Sequence, residues 1–133
     1  NNQPNGDLIL RTLAMPADTN PDGDIFGGWI MSQMDIAGGI LARETTCARI
    51  VTVAVVSISF IKLVHVGDVV CCYGEVVKIG TTSITIDLEV WVKPTVDQPV
   101  GEELKFQVTK AAFTYVALDR NGKKQVINRN CKC

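Results

Sequence analysis

The feature that most limits what this chain can fold into is the run DIFGGWIMSQMDIAGGILAR, from Asp24 to Arg43. Between Ile25 and Ala42 it carries one charge, Asp35. Its Leu, Ile, Met, Ala and Gln content predicts a helix over about 26–45, with Asp24 available upstream as a cap and Gly27-Gly28 at the entry. A helix that is apolar all round must be covered all round. The neighbours of Asp35 at helical spacing are Met31, Ser32, Gly38, Gly39 and Ala42, and none is a cation. Burying a carboxylate without partners costs several kcal/mol unless it is hydrogen-bonded or protonated.

Two readings of Asp35 stay open on this physics. A buried aspartate can bond the backbone amides of a loop and hold the fold, or it can be the working group of a site. Glycine inside a helix costs roughly 0.5–1 kcal/mol relative to alanine, so Gly27, Gly28, Gly38 and Gly39 imply that something approaches the helix closely. Gly38 and Gly39 leave room beside the carboxylate for a ligand or for a strand. With Met31 and Met34 they are candidates for an apolar slot.

Strands account for the rest. DLILRTLAM, Asp7 to Met15, reads as a first strand, followed by the loop PADTNPDGD. Further strands are expected over Arg49–Ile61, after the turn at Val66-Gly67-Asp68, over SITIDLEVWVK, and over Leu104–Leu118. In the fourth run Ile84, Ile86, Leu88, Val90 and Val92 alternate with Thr85, Asp87, Glu89 and Trp91, which predicts one buried and one wet face. Hairpin-length gaps make the last three strands antiparallel neighbours. The economical architecture is α+β, one long helix with an antiparallel sheet of five or six strands curled around it. At 133 residues and 47% hydrophobic content this is one domain, 1–133, with a core over about 7–119 and a weakly specified polar tail over 120–133.

Thirteen Lys and Arg against fourteen Asp and Glu argue against a nucleic-acid binder or a membrane-surface protein. No apolar run approaches the roughly 20 residues that span a bilayer, and the start has no signal-peptide character, so a soluble, cytoplasmic protein without membrane insertion is expected. Of the five cysteines, Cys71 and Cys72 are expected to pack as small hydrophobes in a reducing compartment, and the pair Cys131 and Cys133 reads as incidental. No P-loop, dinucleotide fingerprint or zinc spacing occurs, and no metal site is expected. His65, the only histidine, sits in a turn, where exposure is the ordinary state.

The segments TLAMPADTNPDGDIFGGWIMSQMDIAGGILA, RIVTVAV, SFIK, VGDVVCCYGEVVKIGTTS, IDLEVWVK and AAFTYVALD resemble the YciA-type acyl-CoA thioesterases of the hot-dog fold, over about Asp7 to Asp119. That resemblance implies a central helix wrapped by the sheet, protomers joined sheet to sheet, and hexamers built as trimers of dimers. It also implies hydrolysis of short- to medium-chain acyl-CoA esters to free coenzyme A and a carboxylic acid. No separate cofactor is expected, because coenzyme A is part of substrate and product.

By the same resemblance Asp35 is general base or nucleophile, Asn20 comes from the facing protomer to position carbonyl or water, and amides near Gly27 and Gly28 polarise the carbonyl. Arg49, Lys62, Lys78 and the turn Gly80-Thr81-Thr82-Ser83 are the groups expected to meet the coenzyme. Val56 and Leu63 depart from the family pattern, which has an acidic residue and a proline there. The alternatives are a non-catalytic hot-dog module that binds acyl thioesters, and dehydratase chemistry, which needs a histidine base that His65 is poorly placed to supply.

Overall fold

The computed structural model describes residues 3–60, 62–93 and 105–131. Ile61, Leu104 and Cys133, each included in a sequence-based expectation, lie outside the described residues. The elements are β1 (Asp7–Leu13), a 3-10 turn (Pro16–Asp18), α1 (Gly27–Thr46), β2 (Arg49–Phe60), β3 (Val69–Ile79), β4 (Ser83–Lys93) and β5 (Phe106–Leu118). They form a five-stranded antiparallel sheet in the order β1-β3-β4-β5-β2, with α1 packed against all five strands. This is the hot-dog arrangement. β1 and β2 flank the helix in sequence yet occupy opposite edges, so α1 must cross one whole face of the sheet.

The core lies between that face and the helix. Ile84, Ile86, Leu88, Val90 and Val92 expose no surface, and each contributes about 1.5–3 kcal/mol by leaving water. Ile30, Gln33, Met34, Ala37, Gly38 and Ala42 meet them from the helix. These positions fall at steps of one, three and four, one stripe of a helix.

Five expectations need correction. The outer face of β4 is not uniformly wet, since Glu89 and Trp91 are buried there. Trp91 packs with Cys71 and Tyr73 in a second cluster, and Glu89 accepts hydrogen bonds from Trp91 Nε1 (2.8 Å) and Asn5 Nδ2 (2.8 Å). The side chain is large and amphipathic, so its outward phase does not leave it in water.

The helix, secondly, is not covered all round within one protomer, because Ile36 is 50% exposed and Ile40 39%. Asp24 is not its cap. The N-cap is Phe26, which makes no side-chain capping bond.

Finally, the tail is tied down. Gln125 N donates to Ala117 O (2.8 Å), Ile127 N to Thr81 O (2.9 Å), and the Ile127 side chain enters the core. Cys131, read from the sequence as incidental, is bonded to Cys47, with 6.2 Å between their Cα atoms. Cys47 ends α1 in the left-handed conformation, which turns the chain there and aims its side chain at the returning tail. Cys71 and Cys72 are buried free thiols as expected. Burial, and then the adjacent Cys71, push the Cys72 thiol up to about 12.

Candidate active site

Asp35 sits at the border between the buried and open stripes of α1 and is half-buried. Its Oδ1 accepts a hydrogen bond of 2.6 Å from the hydroxyl of Thr52 on β2. Its backbone carbonyl accepts a second, of 3.0 Å, from the Tyr115 hydroxyl on β5. Thr52 and Tyr115 lie directly opposite one another in the β2–β5 ladder. Among the described residues the carboxylate therefore has a neutral donor and no cation at its oxygens, and it keeps lone pairs for a further proton donor such as water. Neither Thr52 nor Tyr115 was singled out from the sequence. β-Branched and aromatic residues are what any strand contains, and only the sheet order brings these two to the helix.

The N-terminal end of α1 is open. Ile30 N reaches Phe26 O (3.2 Å), which leaves the amides of Gly27, Gly28 and Trp29 as the first-turn donors that the helix itself cannot satisfy. Gly28 has nothing within 4 Å of where a Cβ would stand, and Gly27 meets only the Phe60 ring, at 3.6 Å. These donors and the positive end of the helix dipole suit a developing oxyanion. Asn20 braces the preceding loop: its Oδ1 accepts from Asp22 N (3.0 Å) and Asp24 N (3.1 Å). Its Nδ2 has no acceptor among the described residues.

Gly28 and Asp35 are seven residues apart, about 10 Å along the helix axis. A reacting carbonyl needs both base and oxyanion donors within about 3 Å. One chain does not bring them together.

The coenzyme candidates are likewise split between the two ends of the sheet. Arg49 pairs with Leu118 in the ladder and lines a cavity of about 450 Å³ with Ala48, Asp119, Arg120 and Gln125. The turn after Lys78 lies at that same end: Gly80 N donates to Ser83 O (2.7 Å), and the Thr81 and Thr82 carbonyls accept from Ile127 and Ala117. Lys62 is at the opposite end, its Nζ 4.9 Å from the centre of the Phe106 ring. Phe106 and Leu118 end the same 13-residue strand, roughly 40 Å apart along it.

The slot expected of Met34 and Gly38 is not there. Met34 is wholly buried, and a Cβ on Gly38 would overlap the Tyr115 hydroxyl and stand 2.9 Å from Leu88 Cδ1. The closely approaching group at Gly38 is the sheet. His65 is exposed in its turn, as expected, with its amide on Asp68 Oδ2 (2.9 Å). Val56 and Leu63 are both exposed. Among the described residues no three metal-ligating side chains gather, and no helix is long and apolar enough to cross a membrane.

Residues 22–97 match the sequence profile of the thioesterase superfamily. The chain is 59% identical over 122 residues to the acyl-CoA thioester hydrolase YciA of Salmonella typhimurium, covering 92% of this chain and 90% of that one. Its structure resembles that of HI0827, described as a hexameric broad specificity acyl-coenzyme A thioesterase, with a TM-score of 0.89 and 58% identity over 98% of this chain and 86% of the other. The hexameric thioesterase y2039 of Yersinia pestis is similar too, with a TM-score of 0.87 and 56% identity over 95% and 98% of the two chains.

Proposed function

The chain belongs to the thioesterase superfamily, and from that membership we propose that it hydrolyses acyl-CoA thioesters of short to medium chain length, with Asp35 as the group that acts. The observation that carries this reading is the half-buried Asp35 carboxylate, held by Thr52 and carrying the one charge between Gly27 and Ala42 on a helix whose first-turn amides are open. Either the carboxylate takes a proton from water as the water attacks the thioester carbonyl, or it attacks that carbon itself and water then opens the anhydride. In both routes the carbonyl oxygen becomes an oxyanion that collapses, the C–S bond breaks, and coenzyme A leaves as a thiolate that takes its proton from Asp35 in the first route and from water in the second.

The working unit we infer is a pair of chains. β2 has no strand partner on its outer edge among the described residues, and Val51, Val53 and Val56 are exposed on it. An open apolar edge invites pairing. A two-fold axis that pairs β2 with its copy runs the strands antiparallel, so the Arg49 end of one chain meets the Phe60 end of the other. That places Asp35, Arg49 and the Lys78–Ser83 turn of one protomer beside Asn20, Gly27, Gly28 and Lys62 of its partner. The two incomplete halves make one site. Three such pairs would give a hexamer, the state described for both solved relatives. Coenzyme A enters as part of the substrate with no further cofactor, and the compartment we infer is the cytoplasm, where the free Cys71 and Cys72 are the ordinary state and the Cys47–Cys131 bond is the exception.

The test is a panel of acyl-CoA esters assayed by thiol release, with Asp35→Asn beside the parent. Asparagine keeps the acceptor that Thr52 uses, so the fold should survive and turnover should fall by roughly two orders of magnitude or more. Equal turnover at matched Tm would remove Asp35 from the mechanism. Absence of thiol release by the parent on every ester would favour a binding module instead.

A further inference from the structure

Two hydroxyls from neighbouring strands converge on one residue of the helix, and one of them is bonded to its backbone carbonyl. Tyr115 is wholly buried in β5. Its hydroxyl donates to the Asp35 carbonyl at 3.0 Å, an oxygen that inside a helix already accepts the amide four residues on and has one lone pair left. Helical bonding does not require this second bond. Packing does not require the hydroxyl either, because Phe113, two residues earlier on the same face of β5, fills its place as a bare ring stacked 6.3 Å from Tyr115. A buried hydroxyl without a partner is costly, so a ring chosen for bulk alone would lack one.

The helix is cut to admit this oxygen. A side chain at Gly38 would overlap the Tyr115 hydroxyl, so glycine one turn after Asp35 is what lets it reach the carbonyl. Across the ladder Thr52 stands directly opposite Tyr115 and holds Oδ1. One strand fixes the backbone of the Asp35 turn and the next fixes its carboxylate.

We propose that Tyr115 is a positioning residue for the hydrolysis, its hydroxyl fixing the height and rotation of the Asp35 turn over the sheet, with Gly38 as the gap that admits it. Resting on the reading of Asp35 as base or nucleophile, the proposal adds a residue that holds the backbone of the Asp35 turn. Burial, and then the charge and hydrogen-bonding of Asp35, push the Tyr115 phenol upward, so it stays a protonated donor at neutral pH.

Tyr115→Phe removes only the oxygen. It should lower kcat roughly ten-fold with KM within about two-fold of the parent, because slight misplacement of a catalytic group costs the chemical step rather than binding. Val90→Ala, a core change away from Asp35, should lower Tm at least as much and leave kcat within about two-fold. Gly38→Ala should slow turnover by displacing the hydroxyl. The double variant should be no slower in kcat than the slower single, since both changes break one contact.

A parent-like kcat for Tyr115→Phe, a loss matched by Val90→Ala, or multiplying losses in the double variant would each overturn the proposal. A separate measurement needs no turnover: in labelled protein the Asp35 carbonyl carbon should shift in Tyr115→Phe, and the Gly39 amide of the same turn should exchange faster. Both changes with no thiol release by the parent from any ester would sink the functional reading while leaving the clamp standing. An unchanged carbonyl shift with unchanged exchange would sink the clamp whatever the activity.

Discussion

At the scale of single residues, burial decides what a group can do, and Cys72 shows it with a sign that can be tested. Its thiol is pushed from 9.0 to about 12 in the folded protein, mainly by desolvation. The unfolded chain therefore releases this proton near pH 9 while the folded chain keeps it. Between about pH 9 and 12 the unfolded state binds fewer protons, so stability falls as pH rises, by at most about 1.4 kcal/mol per unit from this group. Below pH 9 the term is flat. Urea midpoints taken across that range should drop more steeply for the parent than for Cys72→Ala, and equal slopes would mean that Cys72 ionises freely. Asp35 sits at the other extreme. Its singularity was plain in the sequence, but its partners were not, because Thr52 and Tyr115 are 17 and 80 positions away and nothing local marks them.

Among the elements, α1 and the C-terminal segment carry the departures from simple pattern. The helix ends at Cys47 in a left-handed turn, and the disulfide to Cys131 closes a loop of 84 residues. The chain-entropy account gives about 4.5 kcal/mol for such a loop, and measured cases usually fall at 2–4. A reductant, or Cys131→Ser, should therefore lower the denaturation midpoint by an amount on the order of 2–4 kcal/mol. The 125–131 segment should also exchange its amides faster, because Ile127 and its bond to Thr81 lose their tether. A midpoint that ignores the reductant would show that the backbone bonds and the Ile127 side chain suffice. The polar composition of this tail gave no sign of the tether, since a pairing 84 residues long has no local signature.

For the whole molecule, the 10 Å between Gly28 and Asp35 along one helix is the decisive length, and it makes the proposed site depend on two chains. Subunits of an Asn20→Ala protein and an Asp35→Asn protein, each inactive alone, should regain activity once they exchange. Half of the pairs formed at random are hybrids, and each hybrid holds one intact site of two, so about a quarter of the parent rate is expected. Mass-resolved exchange with no recovery would mean that Asn20 and Asp35 do not act together across two chains, and would refute the two-chain site.

The sequence by itself determined what local periodicity encodes. It determined the order of strand, helix and four strands, the inward phase of Ile84 to Val92, the open turn at His65, and the isolation of Asp35. These follow from 3.6- and two-residue repeats and from turn chemistry, which neighbouring residues settle among themselves. Only the tertiary structure decided that Gly38 receives a tyrosine hydroxyl rather than a ligand, that Glu89 and Trp91 leave the water, that Cys47 meets Cys131, and that Lys62 and Arg49 stand at opposite ends of the sheet. Each depends on strand order and register. A one-residue slip of β5 would turn Tyr115 to the other face and leave every local pattern intact.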